Sequence, residues 1–475
     1  MRILEGLKPE KVFYYFEQIS AIPRGSGKTD ALRDYCADFA KERGLEYITD
    51  DAGNIIIFKP ACGNDSKPVI IQGHLDMVWE KDETCRIDFE TDGLELFVDG
   101  DYIGAKGTTL GADDGIAVAM CLALLDSDDI VHPPLEIVFT ADEEVGMTGA
   151  TGLDCSVLNG KRMINLDSEE DGVMWVSCAG GVRADVVLDV GYTETCKNCF
   201  EINVSGLHGG HSGAEIHNGY ANANKVLGRV LAALQDKADF ELCNIGGGAM
   251  DNAITRDSKC VVASDADICS IINGMSAEIA DVYRKKADPD IKISASSCDK
   301  AEKSMTADST KVVIGLLNAL PSGVIAMSKE IEGFVETSLN LGVLKTIGNA
   351  VSYSFAVRSG VDAEREKLCE RLKEIAGAFN AKISFRTPYP AWEFKDGSEL
   401  QEIMKKIYFS INGKELVVTG IHAGLECGMF CGKIKGLDCV SLGPEMHGIH
   451  TPQERLSVSS CEKLWNFLLE VLKTI

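Results

Sequence analysis

Three short apolar runs between residues 69 and 167 each stop at acids or a histidine. Residues 69–72 (VIIQ) lead into Gly73-His74-Leu75-Asp76. Residues 135–139 (LEIVF) lead into Thr140-Ala141-Asp142-Glu143-Glu144, and Ile164-Asn165-Leu166 leads into Asp167. Apolar runs of this length, rich in β-branched residues, read as buried strands. Between the first two, residues 114–125 (DGIAVAMCLALL) are apolar all round, as a buried helix is. Helical spacing over 9–19 and 28–43, and strand-like runs at 54–58 and 163–166, complete a βαβα order. That order predicts an α/β fold, a sheet flanked by helices with its working residues in the loops at strand ends.

The pattern changes near residue 182. Residues 182–190 and 200–204 alternate as half-buried strands, a helix is expected over 222–234, and residues 245–255 (IGGGAMDNAIT) open with a glycine-rich turn. The α/β character returns at the end, with a helix near 398–409, strands at 415–420 and 437–441, and a closing helix near 460–473. At 475 residues the chain is too long for one core. The organisation expected is a catalytic domain built from residues 1–183 and 390–475, with an α+β domain, 184–389, inserted between them.

Charge narrows the function classes. With 47 Lys and Arg against 73 Asp and Glu, the net charge is −26, which repels phosphate backbones and anionic lipid. No nucleic-acid or membrane partner is expected. The N-terminal segment has no apolar core followed by a small-residue cleavage site, and no apolar stretch reaches about 18 residues, so neither a signal peptide nor a membrane span is expected. The 17 scattered cysteines read as reduced thiols of a cytoplasmic protein. Cys196 and Cys199 form a lone CxxC and Cys427 and Cys431 a looser pair; a structural zinc site needs four ligands.

The strand ends carry metal-ligand chemistry. His74 and Asp76, two apart on an extended chain, face the same side, so a carboxylate stands beside a candidate metal-binding imidazole. In Gly111-Ala112-Asp113-Asp114-Gly115, Asp114 reads as a helix cap and Asp113 as a side chain reaching into a cleft. Asp142, Glu143 and Glu144 would repel one another without a cation. Asp167 ends a further strand. His447 and His450, two of only 8 histidines, share one late loop. Two imidazoles, three carboxylates and a spare glutamate suit zinc, manganese or cobalt, and a paired site.

The motifs GHLDMV, GTTLGADDG, EEVGM, INLDSEE, GLHGGHSGAEIH, GGAMDNAITR, GFVETSLNLG, HAGLECG and HTPQE resemble the histidine-dipeptidase branch of the dinuclear zinc peptidase and deacylase superfamily. That superfamily also holds peptidase T and carnosine-type dipeptidases. The resemblance runs from about residue 5 to the end of the chain. It implies a zinc-peptidase-type catalytic domain, a mixed sheet flanked by helices, with an inserted lid domain. It implies His74 and Asp167 at one metal and Glu144 and His450 at the other, with Asp113 bridging. Asp76 would orient His74, Glu143 would be the general base, and His211 the donor to the developing oxyanion. Asn252 and Arg358 fall in segments similar to those that hold the substrate's carboxylate. The last ligand motif departs from the family's more usual HSPDE, and His447 competes with His450 as His208 does with His211.

The resemblance further implies two divalent cations, zinc first and manganese or cobalt as alternatives, and a water activated between them. The substrates implied are dipeptides with a free N-terminus, Xaa-His and related. Because His211 lies in the inserted segment, closure of that domain would gate the reaction. The alternatives within reach of the same motifs are an N-acyl amino acid deacylase and an inactive peptide-binding homologue. A homodimer formed through the inserted domain is compatible with the resemblance. A middle segment of about 200 residues could instead stand in for a second subunit within one chain.

Overall fold

The computed structural model describes residues 2–475. The chain forms two compact units. The first takes residues up to Val176 together with Phe394–Gly420 and Leu425–Ile475; the second takes Ser177–Glu393 and Ile421–Gly424.

The first unit is built on an eight-stranded sheet: β1 (Glu46–Thr49), β2 (Ile55–Lys59), β3 (Val69–His74), β4 (Leu135–Thr140), β5 (Arg162–Asn165), β6 (Val173–Cys178), β7 (Val417–Ile421) and β8 (Asp438–Ser441). The spatial order is β1-β2-β4-β3-β5-β8-β6-β7. The centre is parallel, from β4 through β3 and β5 to β8, while β1, β2 and β6 add antiparallel. Every residue of β3 and β4 is buried, as expected of parallel strands covered on both faces. This is the mixed sheet flanked by helices that the family resemblance implies.

The helix Ala112–Leu125 is buried along its length except at Asp113, and the helix Glu10–Ser20, with Val12, Phe13, Phe16 and Ile19 buried, packs against it. Its close approach to β3 depends on Gly73: a Cβ there would lie 2.6 Å from Asp114 Oδ2 and 2.7 Å from Ala117 Cβ. A small four-stranded sheet, Met446–His447, Arg455–Ser457, Tyr102–Ala105 and Leu96–Asp99 in spatial order, anchors both ends of the loop that carries His450.

The second unit is a nine-stranded antiparallel sheet. Its helices Ala223–Gln235, Ile268–Arg284, Ala307–Ala319 and Asp362–Ala378 bury an apolar stripe against the sheet. Alternation at Val182, Ala184, Val186 and Leu188 supplies one row of that core. Gly246 and Gly247, read from sequence as a turn, instead end the strand Glu241–Gly247 and pair with Lys345 and Leu344. A Cβ on Gly247 would stand 2.3 Å from Asn224 Oδ1, so close approach rather than turning requires the glycine. Ile421–Gly424 joins this unit because Ala179 N–H donates to the carbonyls of Ile421 and Ala423. Among the described residues no helix is long and apolar enough to cross a membrane.

Candidate metal centre

The donors predicted from the strand ends meet beyond the C-terminal edge of the parallel strands, where open α/β sheets place their ligands. His74 Nε2 lies 3.0 Å from Asp113 Oδ1 and 3.5 Å from Asp167 Oδ1. Asp113 turns its other oxygen, Oδ2, to within 3.2 Å of His450 Nε2, and Glu144 Oε1 lies 2.8 Å from the same nitrogen. Asp113 thus stands between two imidazoles, one carboxylate oxygen toward each. His447 stays outside this group; its ring lies against Tyr102 and 3.6 Å from Glu445.

Local structure explains the placement. Gly111 adopts a left-handed conformation (φ 63°), and Asp113 and Asp114 depart from helical φ/ψ, so the regular helix starts after them. Glu454 holds this turn: its carboxylate accepts from the backbone N–H groups of Leu110, Gly111 and Ala112 at 2.7–2.9 Å. Arg24, 2% exposed, donates to the carbonyls of Leu75, Asp76 and Gly111 and clamps the two ligand loops together. Asp114 is not the helix cap that its position suggested. It is fully buried and its Oδ2 accepts the His74 N–H at 3.1 Å.

Asp76 does more than stand behind His74. Its Oδ1 is 3.3 Å from His74 Nδ1. Its two oxygens also accept the N–H groups of Glu143 and Glu144, at 2.9 and 3.3 Å, and Oδ2 accepts the Ser26 hydroxyl at 2.8 Å. One buried carboxylate therefore fixes the ring on β3 and the acidic loop after β4. Asp142 leaves that loop in the other direction, accepting the Gly27 N–H at 2.6 Å.

The electrostatics fit a site for cations. Burial, opposed by His74 and reinforced by Asp113 and Glu144, pushes Asp167 up to about 7. Burial lifts Glu143 well above the carboxylate range, with Asp167, Glu426 and Glu144 adding to it. Burial lifts Asp114 likewise, helped by Asp167 and Asp113, and pushes Glu169 to about 8, beside the same two aspartates. His74 is buried, which disfavours its charge, yet Asp167, Asp113 and Asp76 outweigh that and hold its pKa well above the imidazole range. A cluster this rich in buried carboxyls is relieved by bound cations. Two donor groups, His74-Asp113-Glu144 and His74-Asp114-Asp167, have their ligand atoms within 4.8 Å of one another. The oxygen and imidazole donors suit zinc-type cations.

The remaining candidates lie in the second unit. His211 pairs with Ala253, and Ser212 N–H donates to the Asn252 carbonyl at 2.8 Å, which sets His211 beside Asn252. His211 Nδ1 accepts the Ala214 N–H at 3.1 Å, so in the neutral ring the proton sits on Nε2. Burial, then Arg358, lowers the pKa of His211. Arg358 is 7% exposed; it donates to Tyr389 Oη at 3.1 Å and its Nε is buried without a partner. Ser212 Oγ and His422 Nδ1 are likewise buried and unpartnered. His208, by contrast, bonds Asp288 and stacks on Tyr220. Among the described residues none of the cysteines is in a disulfide and none joins a candidate metal group; Cys196 is exposed and Cys199 buried.

The model of Peptidase family M20/M25/M40 matches residues 70–474, a span that includes His74, Asp113, Glu144, Asp167 and His450. The chain belongs to this family. As a member of M20/M25/M40 it is 36% identical, over 100% of its length and 99% of the other chain, to the cytosol non-specific dipeptidase of Escherichia coli (strain K12). The crystal structure of aminoacylhistidine dipeptidase from Vibrio alginolyticus superposes with a TM-score of 0.93, at 35% identity, covering 99% of this chain and 98% of that one. The fold is shared more distantly with an aminopeptidase PepT from Bacillus cereus, at a TM-score of 0.57 and 16% identity.

Sequence reasoning did not single out Arg24, Glu169, Glu426 or Glu454 as parts of the site. Glu426 and Glu454 stand inside the motifs HAGLECG and HTPQE, so their residue types were visible while their partners, far away in the chain, were not.

Proposed function

We propose that this chain is a cytoplasmic metal-dependent dipeptidase that hydrolyses dipeptides with a free N-terminus, Xaa-His and related. The observation that carries the reading is the convergence of His74, Asp113, Glu144, Asp167 and His450 at one edge of the parallel strands, in a chain that matches two dipeptidases over its full length.

In this reading His74 and Asp167 would hold one cation and Glu144 and His450 the other, with Asp113 as the ligand they would share. Zinc suits the donor set first, with manganese or cobalt as alternatives. Bound there, such cations would acidify water and polarise the scissile carbonyl. Glu143, lifted by burial above the usual carboxylate range, takes the proton of the attacking water and returns it to the leaving amine, a role worth about 10²–10⁴ in rate. Asp76 keeps the His74 ring and the Glu143 backbone in register. His211 donates from Nε2 to the developing oxyanion, which its neutral ring and the bond from Ala214 permit. Arg358 and Asn252 hold the substrate's carboxylate; the unspent Arg358 Nε supports this.

The test is hydrolysis of β-alanyl-histidine, glycyl-histidine and leucyl-leucine beside an N-acetylated amino acid, with Glu143→Ala as control. Cleavage of the free dipeptides that Glu143→Ala abolishes is the expected result. Cleavage of the acylated compound alone would assign a deacylase instead.

A further inference from the structure

Glu426 lies in HAGLECG and has no part among the ligands or the proton-transfer groups. It begins the helix Glu426–Lys433 and is 0% exposed. Its Oε2 accepts from Gln72 Nε2 at 2.5 Å and from Thr140 Oγ1 at 2.6 Å. Gln72 also donates to Thr140 Oγ1 at 3.1 Å. Its own oxygen accepts from Asn165 Nδ2 at 2.7 Å, and Asn165 Oδ1 accepts the Asp167 N–H at 3.4 Å.

The register shows what these bonds join. Gln72 precedes His74 by two on β3 and so shares its face of the sheet. Asn165 is its direct neighbour on β5, and Thr140 on β4 stands opposite His74. All four side chains are buried. They form one polar chain, Thr140–Glu426–Gln72–Asn165, across the ends of the three strands that lead to His74, to the Asp142–Glu144 loop and to Asp167.

Backbone bonds tie the strand ends as far as Leu75 and Leu166, which donate to the Thr140 and Gln72 carbonyls, and this buried side-chain network joins the same three strands at the level of His74. The second oxygen, Oε1, is buried with no hydrogen-bond partner. A carboxyl buried in that state is costly, and apolar packing would join a helix to a sheet more cheaply. Retaining it makes sense where a polar network defines geometry, as the groups behind metal ligands do.

We infer that Glu426 is a positioning residue: it ties β3 and β4 directly, and β5 through Gln72, and so holds the metal ligands at a fixed spacing. Its contribution is as a hydrogen-bond acceptor. The inference rests on the proposed metal centre.

The experiment measures zinc affinity of the full-length protein by competition with a chromophoric chelator, together with kcat and KM for a dipeptide. Glu426→Leu is expected to weaken zinc binding about 10–100-fold and to lower kcat with little change in KM. Glu426→Gln keeps an acceptor for Gln72 and Thr140 and is expected to bind zinc within a few-fold of the unaltered chain. Wild-type affinity in Glu426→Leu, or an equal loss in Glu426→Gln, would overturn the inference while leaving the metal centre standing. If Glu426→Leu does not fold, Gln72→Met breaks the same tie from the other end; its loss of affinity supports the inference and its wild-type affinity overturns it. No zinc binding by the unaltered chain would overturn the metal reading, and this inference with it.

Discussion

Around His74 and His450 buried carboxyls outnumber cationic groups, whereas around His211 and His422 the reverse holds. In the first region acids prop up the imidazoles: burial disfavours charge on His450, yet Asp113 and Glu144 carry its pKa to about 11. In the second, burial followed by Arg358 drives His422 down to about 3, and the same two causes lower His211. The same residue type is thus shifted in opposite directions by its surroundings. Under the proposed function the acid-rich surroundings would suit cations, and the arginine beside neutral imidazoles would suit an anionic group that needs hydrogen-bond donors.

The comparison can be broken at its strongest point by Asp113→Ala. Loss of the carboxylate that faces both His74 and His450 should strip metal from the purified protein and take dipeptide hydrolysis to background. Metal content by atomic emission reads the first effect, and full occupancy in the variant would refute the ligand assignment. His211→Ala should leave metal content intact and lower kcat by about 10²–10³, the usual cost of a lost oxyanion donor; a change in metal content would mean that the two regions are not separate in function. Arg358→Met should leave metal intact too and raise KM about 10–100-fold, since a hydrogen bond to a charged group is worth about 1.5–3 kcal/mol.

The smallest effect is on titration. Arg358→Met removes a cation that lowers the pKa of His211, so the imidazole resonances should titrate at higher pH than in the unaltered chain. The sign for stability follows. A depressed histidine costs stability as pH falls through the ordinary imidazole range, because the unfolded chain takes the proton first. That loss should be smaller in the variant, and an unchanged His211 titration would place Arg358 outside its influence.

The parallel core was legible because three of its four strands are apolar runs that end at a donor: VIIQ before Gly73-His74, LEIVF before the acidic loop, INL before Asp167. Period and residue type are local properties, and they carry element type well. What the chain does not display locally is which distant group satisfies a buried atom. Asp114 looked like a cap because Asp favours that position, yet the close approach allowed by Gly73 turns it onto the His74 N–H. Glu454 and Arg24 read as ordinary charged loop residues; only folding brings them to the 110–113 turn and to the Leu75 and Asp76 carbonyls. The short joining of Ile421–Gly424 to the second unit rests on backbone bonds to Ala179, which no side-chain pattern announces.

The most direct test of the central claim is a zinc titration of chelator-stripped protein with β-alanyl-histidine hydrolysis followed at each step. The account predicts no turnover without metal, and activity that rises as zinc binds and levels off near two equivalents. Full turnover by the stripped protein, or saturation with zinc and no hydrolysis of any free dipeptide, would contradict it.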